Sequence, residues 1–217
     1  MENYINGPAQ EEGGVNSLKV LIATLYNPDP VLLACTRLSP DRLILLIDEE
    51  PDKKQKEALN LIKNSLGRVL DIKEVKIPVY DIVAIAKKTV EIITMQPKDD
   101  WIFLNITAGR KTQSMGVLFG AYARSNYIKK IAYNPEEDKS AVVYLPILSF
   151  KLNESQQKIL ESIDKKKSQT YADLAKDTDL SSAMVYRSIT ELKDMDFVET
   201  SDENGFTLTD AGKIARL

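Results

Sequence analysis

The densest run of chemically capable side chains is Asn105-Ile-Thr-Ala-Gly-Arg-Lys-Thr-Gln-Ser114. Arg110 and Lys111 bring positive charge, and Thr107, Thr112 and Ser114 bring hydroxyls. Gly109 allows a close backbone approach to a ligand. The run joins an apolar strand to a helix, so unpaired N–H groups and a positive dipole end fall among these side chains. That combination suits an anionic, phosphate-bearing ligand. It is not a P-loop, because only Gly-x-Lys-Thr of that pattern is present. It also lacks Gly-x-Gly-x-x-Gly, and the ribose-binding acid has no clear counterpart. The competing reading is a plain capped turn with a solvated basic pair.

Composition narrows the chemistry further. There is no histidine and only one cysteine, so neither the commonest general base nor a zinc site is available. No metal and no cofactor are expected, and any catalysis must use carboxylates, lysine, hydroxyls or the substrate itself. Cys35 closes the apolar stretch Val31-Leu-Leu-Ala-Cys35 and reads as a small buried hydrophobe. With no partner for a disulfide, a reducing cytoplasm is expected. No apolar run approaches the roughly 20 residues of a membrane span, and no signal peptide is visible. The polar start, Met1 to Asn16, reads as a disordered tail, with the ordered chain beginning after residue 17.

The elements that must position the loop follow from periodicity. Short apolar runs mark buried strands at Leu18–Thr24, Arg42–Ile47 and Trp101–Ile106, with an alternating one at Val69–Ile77. Between them lie helices from Pro30 to about Leu38, with Asp29 as cap, then Asp52–Leu66 and Tyr80–Met95. A small-residue helix covers Lys111–Ser125, and strands at Ile128–Tyr133 and Ala141–Ile147 form an antiparallel hairpin turning at Asp138-Lys139. This alternation predicts an α/β, Rossmann-like, mostly parallel sheet over residues 18–150. In the doubly wound order strands 1 and 4 are neighbours, so the loops at Thr24–Pro30 and Asn105–Thr112 share the switch-point cleft. Gly116, Gly120, Ala121 and Ala123 would let the fourth helix approach a second subunit, giving a homodimer.

From Lys151 the pattern changes. Helices at Asn153–Ile163, Thr170–Ala175 and Ser181–Met195, strands at Phe197–Thr200 and Gly205–Thr209, and a last helix from Asp210 predict a winged helix-turn-helix over 151–217. Ser181, Ser182, Ala183, Tyr186 and Arg187 would face outward on its recognition helix. Arg187 is placed to reach guanine, Ser182 a phosphate and Ala183 a thymine methyl. Lys165 to Lys167, Ser168, Gln169 and Thr170 are candidates for holding the backbone of double-stranded DNA. The charge argues the other way: this part has 10 basic and 13 acidic side chains, net −3, against 19 and 19 before it. A DNA-binding module usually carries a basic stripe, and Asp202 and Glu203 make the wing acidic. A winged helix that docks on protein is the alternative.

Asn105-Ile-Thr-Ala-Gly-Arg-Lys111 resembles the Asn-x-Thr-Gly-Gly-x-Lys signature of CARF domains, the CRISPR-associated Rossmann folds. A CARF domain followed by a winged helix is the layout of archaeal CRISPR-locus transcriptional regulators, so the resemblance runs from about Leu18 to the end. It implies a dimer that binds cyclic oligoadenylate, cyclic tetra-adenylate foremost, on its two-fold axis. By position the ligand set is Thr24, Leu25, Tyr26 and Asn27 with Asn105, Thr107, Ala108, Gly109, Arg110, Lys111 and Thr112. Ala108 departs from the signature by replacing its first glycine, and its methyl group would narrow the ligand's approach. Tyr26 is a candidate to stack on a base and Asn27 to read an edge. Some proteins of this kind are ring nucleases that cleave the cyclic ligand without metal. In that alternative Lys111 would stabilise the phosphorane and Thr24 would orient the attacking ribose hydroxyl.

Overall fold

The computed structural model describes residues 17–138, 141–201 and 205–217. The expected tail at Met1–Asn16, the turn residue Lys139, and the wing residues Asp202, Glu203 and Asn204 lie outside them. Five parallel strands are joined through helices: β1 (Lys19–Thr24), β2 (Arg42–Asp48), β3 (Asp71–Ile77), β4 (Trp101–Asn105) and β5 (Ile128–Tyr133). A sixth, β6 (Val143–Leu145), pairs antiparallel with β5. The order is β3-β2-β1-β4-β5-β6, so β1 and β4 are neighbours, as the alternation predicted.

Successive side chains of a strand point to opposite faces, so each buried strand feeds two cores. On one face Leu21, Leu43, Leu45 and Phe103 pack under α1 (Pro28–Leu38) and α2 (Lys53–Leu66). On the other, Ile22, Ile44, Leu46 and Leu104 pack with Ile85 and Ile93 of α3 (Ile82–Thr94) and Val117 and Ala121 of α4 (Lys111–Ala123). Caps fix the helix starts: Asp52 accepts from Gln55 N at 2.8 Å and Asp81 from Ala84 N at 2.9 Å. Asn27, not Asp29, caps α1, accepting from Asp29 N at 3.1 Å with Pro28 at the first helical position. The repeated Asx-Pro of Asn27-Pro-Asp-Pro30 gives the same signal twice, and the earlier copy wins. Val69 is 82% exposed ahead of β3, and α3 starts after Tyr80, at Ile82.

Two glycines of the small-residue stripe on α4 have close neighbours within the chain. A Cβ at Gly116 would lie 2.7 Å from the Ile85 side chain, and one at Gly120 would lie 2.7 Å from the Ala86 carbonyl oxygen and Thr89 Cβ. The two glycines therefore seat α3 against α4 within one chain.

The C-terminal part is a winged helix. It comprises α5 (Glu154–Lys166), α6 (Tyr171–Thr178), α7 (Ser182–Asp194), β7 (Val198–Thr200), β8 (Phe206–Leu208) and α8 (Asp210–Ala215). Its own core joins Ile159, Leu160, Leu174, Val185, Ile189, Leu192, Val198 and Phe206. The last helix connects the two parts: α8 packs on β8 and α5, and also lies against α3 and α4. Among the described residues no helix is long and apolar enough to cross a membrane.

Candidate functional site

The register places the carboxyl ends of the central strands side by side, with Ala23 opposite Asn105 and Asn105 opposite Ala132. Beyond β4 the chain turns through Thr107 to Arg110 into α4. Arg110 holds the cap position, and arginine has no acceptor, so the cap side chain satisfies none of the first-turn N–H groups among the described residues, while the Gln113 side chain accepts only from the N–H of Arg110 itself. The first-turn groups are left for a ligand or water. Lys111 beside them is exposed and makes no ion pair among the described residues.

Most of the expected ligand set is committed to holding this turn. Asn105 Nδ2 donates to Asn134 Oδ1 at 3.0 Å, while its own Oδ1 accepts from Thr107 N at 3.1 Å. Thr107 Oγ1 accepts from Asn134 N at 2.9 Å. Thr112 Oγ1 donates to the Val79 carbonyl at 2.5 Å, and Ser114 Oγ to that of Ile106 at 2.6 Å. Ala108 is buried with the α1–α2 core, so its methyl group packs inward and does not narrow the cleft. A Cβ at Gly109 would stand 2.6 Å from Thr24 Cβ, so this glycine brings the two loops together. Thr24 beneath it is fully buried, and its hydroxyl has no hydrogen-bond partner among the described residues. Leu25 is a core residue whose N–H donates to Leu46 O and whose carbonyl accepts from Gln55.

What faces outward is a charged and aromatic rim. The Arg110 guanidinium lies 5.6 Å from the Tyr26 ring centroid, and Lys54 Nζ lies 4.8 Å from it. Tyr26 OH donates to Asp52 Oδ2 at 3.0 Å, and that bond with the carboxylate charge pushes the phenol's pKa up. The Asp52 carboxyl is held below its ordinary value by the Gln55 N–H and by Tyr26. Asn27, Thr107 and Asn134 line a cleft of about 510 Å³ with Pro30, Leu33 and Glu136. Asp48, Gln55 and Asn134 were not singled out by sequence reasoning. Asp48 carried a legible signal, an acid ending the apolar run Leu43–Ile47, where switch-point sites form.

On the winged helix, Ser181 caps α7 by accepting from Met184 N at 3.3 Å. Ser182, Ala183, Tyr186 and Arg187 are exposed, as expected. Met184 joins them at 46% exposure, and Tyr186 stacks on Tyr171 at 5.7 Å. Arg187 is paired with Glu191 at 2.9 Å. Gln169 is 2% exposed and cannot reach a phosphate: it accepts from Ser162 Oγ and donates to Asp177. Ser168 hydrogen-bonds Ser201 at 3.0 Å, and Thr170 caps α6 with its hydroxyl on Asp173.

A family model described as HFX_2341_N-like, N-terminal, matches residues 19–138, and one described as winged helix-turn-helix DNA-binding matches residues 152–199. Comparison with curated proteins gives no match. Among solved structures the chain is similar to Can2 from Sulfobacillus thermosulfidooxidans in complex with cyclic tetra-adenylate, at 15% identity over 91% of this chain and 63% of that one (TM-score 0.49). It is also similar to Enterococcus italicus Csm6 bound to cyclic hexa-2'-fluoro-hexa-dAMP, at 18% identity over 82% and 54% (TM-score 0.47). A third is VC1899 from Vibrio cholerae, at 10% identity over 91% and 64% (TM-score 0.48). The chain spans less than two thirds of each of these structures, and likenesses this distant carry no weight for function.

Proposed function

Because the chain belongs to the HFX_2341_N-like family and carries a winged helix-turn-helix, we propose that it is a DNA-binding regulator controlled by cyclic oligoadenylate, cyclic tetra-adenylate foremost. Its first domain is CARF-like, with the boundary to the second near residue 150. The observation that carries the reading is the start of α4, whose cap residue offers no acceptor to the first-turn N–H groups, with Arg110 and Lys111 beside it and the Tyr26 ring opposite. Backbone N–H groups, a helix dipole and two cations suit a phosphate, and an aromatic face suits a base. A cyclic ligand is symmetric, so a homodimer would present two such sites to one ring. Exposed Tyr133, Val143 and Tyr144 at the β5–β6 edge are apolar surface that such a dimer would cover.

Ser182, Ala183, Met184, Tyr186 and Arg187 form the surface proposed to enter the major groove, with Lys165 and Lys167 on the backbone. Ring cleavage would ask Thr24 to orient a ribose hydroxyl. Thr24 is sealed beneath Gly109, which favours sensing over hydrolysis. The test is incubation with labelled cyclic tetra-adenylate. Bound and intact ring supports the sensor, a linear product supports a nuclease, and no retention of any cyclic oligoadenylate rejects both.

A further inference from the structure

We infer that Asp48 is a positioning residue for the anion site, acting through Arg110; this rests on the ligand reading above. Asp48 ends β2 and is 3% exposed. A carboxylate so removed from water is costly unless its oxygens are satisfied. Here Oδ1 accepts from Gln113 Nε2 at 2.9 Å and from Gln55 Nε2 at 3.2 Å, while Oδ2 accepts from Arg110 Nε at 3.2 Å. Gln55 is itself pinned by its bond to the Leu25 carbonyl at 2.6 Å. Gln113 closes the circuit by accepting from Arg110 N at 3.3 Å. The network ties together β2, α2, the first loop and the start of α4, with one carboxylate at its centre.

Only one nitrogen of the Arg110 guanidinium is used. Neither Nη atom makes a hydrogen bond among the described residues, and the side chain remains 40% exposed above the Tyr26 ring. A guanidinium held at Nε and over a ring presents its outer fork in a fixed direction, the geometry that takes a phosphate bidentately. The bond and charge of Asp48 also push the Arg110 pKa up.

An anion beside a phosphate-binding cation acts in two opposed ways: it repels the ligand, and it fixes the cation. The sign of an Asp48→Asn effect separates them. The carboxylate accepts from three donors, and an amide has one oxygen, so at least one donor would face an N–H. The circuit must then open and Arg110 must lose its hold, although the site becomes more positive.

Calorimetry of the full chain with cyclic tetra-adenylate tests this. Asp48→Asn is expected to weaken binding about tenfold, Arg110→Ala comparably, and the double variant no further than Arg110→Ala alone. The salt slope should fall by about 0.7 in Asp48→Asn as one phosphate contact is lost. Unchanged or tighter binding by Asp48→Asn, or additive losses in the double variant, overturns the inference. A ligand-free arm reads the side chain directly through the nitrogen-15 resonance of Arg110 Nε–H. It should be slowly exchanging in the wild type and averaged with exposed arginines in Asp48→Asn. A wild-type signal already averaged refutes the positioning role, whereas a slow signal in a protein that binds no cyclic oligoadenylate leaves Asp48 in place and removes the ligand reading.

Discussion

Thr24 and Gly109 approach more closely than any larger residue at position 109 would permit, and the glycine's φ is not positive. Its cost of replacement is therefore steric, not conformational. Gly109→Ala should destabilise the fold by about 1–3 kcal/mol, the usual range for overpacking, measured as a fall in the urea midpoint at constant slope. Arg110→Ala and Lys111→Ala should each weaken cyclic tetra-adenylate binding about tenfold or more, and unchanged calorimetric affinity in both would move the site elsewhere. Cys35 is buried, which pushes its thiol pKa up to about 11. In the native protein at pH 8 it should resist a thiol reagent that labels it at once in denaturant, since the thiolate is the reactive form. The loop proposed to carry the chemistry was legible in the sequence as a strand-to-helix turn, because Gly, Arg, Lys and hydroxyls cluster there. The division of labour within it was not. Asn105, Thr107 and Thr112 look like ligand groups by type, yet their partners, Asn134 and Val79, come from elements far along the chain.

At the scale of elements, what the sequence disclosed depended on whether burial was local. Strands β1, β2 and β4 are apolar on both faces because helices cover both, and their runs stand out. β3 lies at the sheet edge, where Asp71, Lys73, Glu74 and Lys76 are exposed, and its start was read two residues early. The α4 stripe shows the harder limit. Glycines on a helix announce a close neighbour without saying which. Here the neighbour is α3, and the two helices form one unit beneath the sheet. Gly120→Ala should therefore lower the melting temperature by several degrees, as about 1–3 kcal/mol would do in a chain of this size. A melting temperature that holds, with the oligomer falling apart, would return the stripe to a subunit interface.

Across the whole molecule, contacts run from the proposed anion site through α3 and α4 to α8 of the winged helix. Thr112 and Gln113 at the start of α4 hold the carbonyls of Val79 and Pro78. The next residues, Tyr80 and Asp81, line a crevice of about 820 Å³ whose far wall is Asp210, Ala211 and Ile214 of α8. In the proposed account, a ligand that reorders the α4 start would act on residues that face the winged helix. That part is net acidic, and its recognition helix has one arginine, held by a largely exposed ion pair worth little. DNA affinity should show a shallow salt slope, with about 2–4 phosphates neutralised per half-site. Arg187→Ala should cost ~1–3 kcal/mol and relax preference at one base position. The central claim, that a cyclic oligonucleotide controls DNA binding, is tested most directly by fluorescence anisotropy. The titration uses the protein's own upstream DNA, with random DNA as competitor, in the presence and absence of cyclic tetra-adenylate. The account predicts a specific complex whose affinity shifts severalfold when the ligand is added. No preference over random DNA in either condition would contradict it.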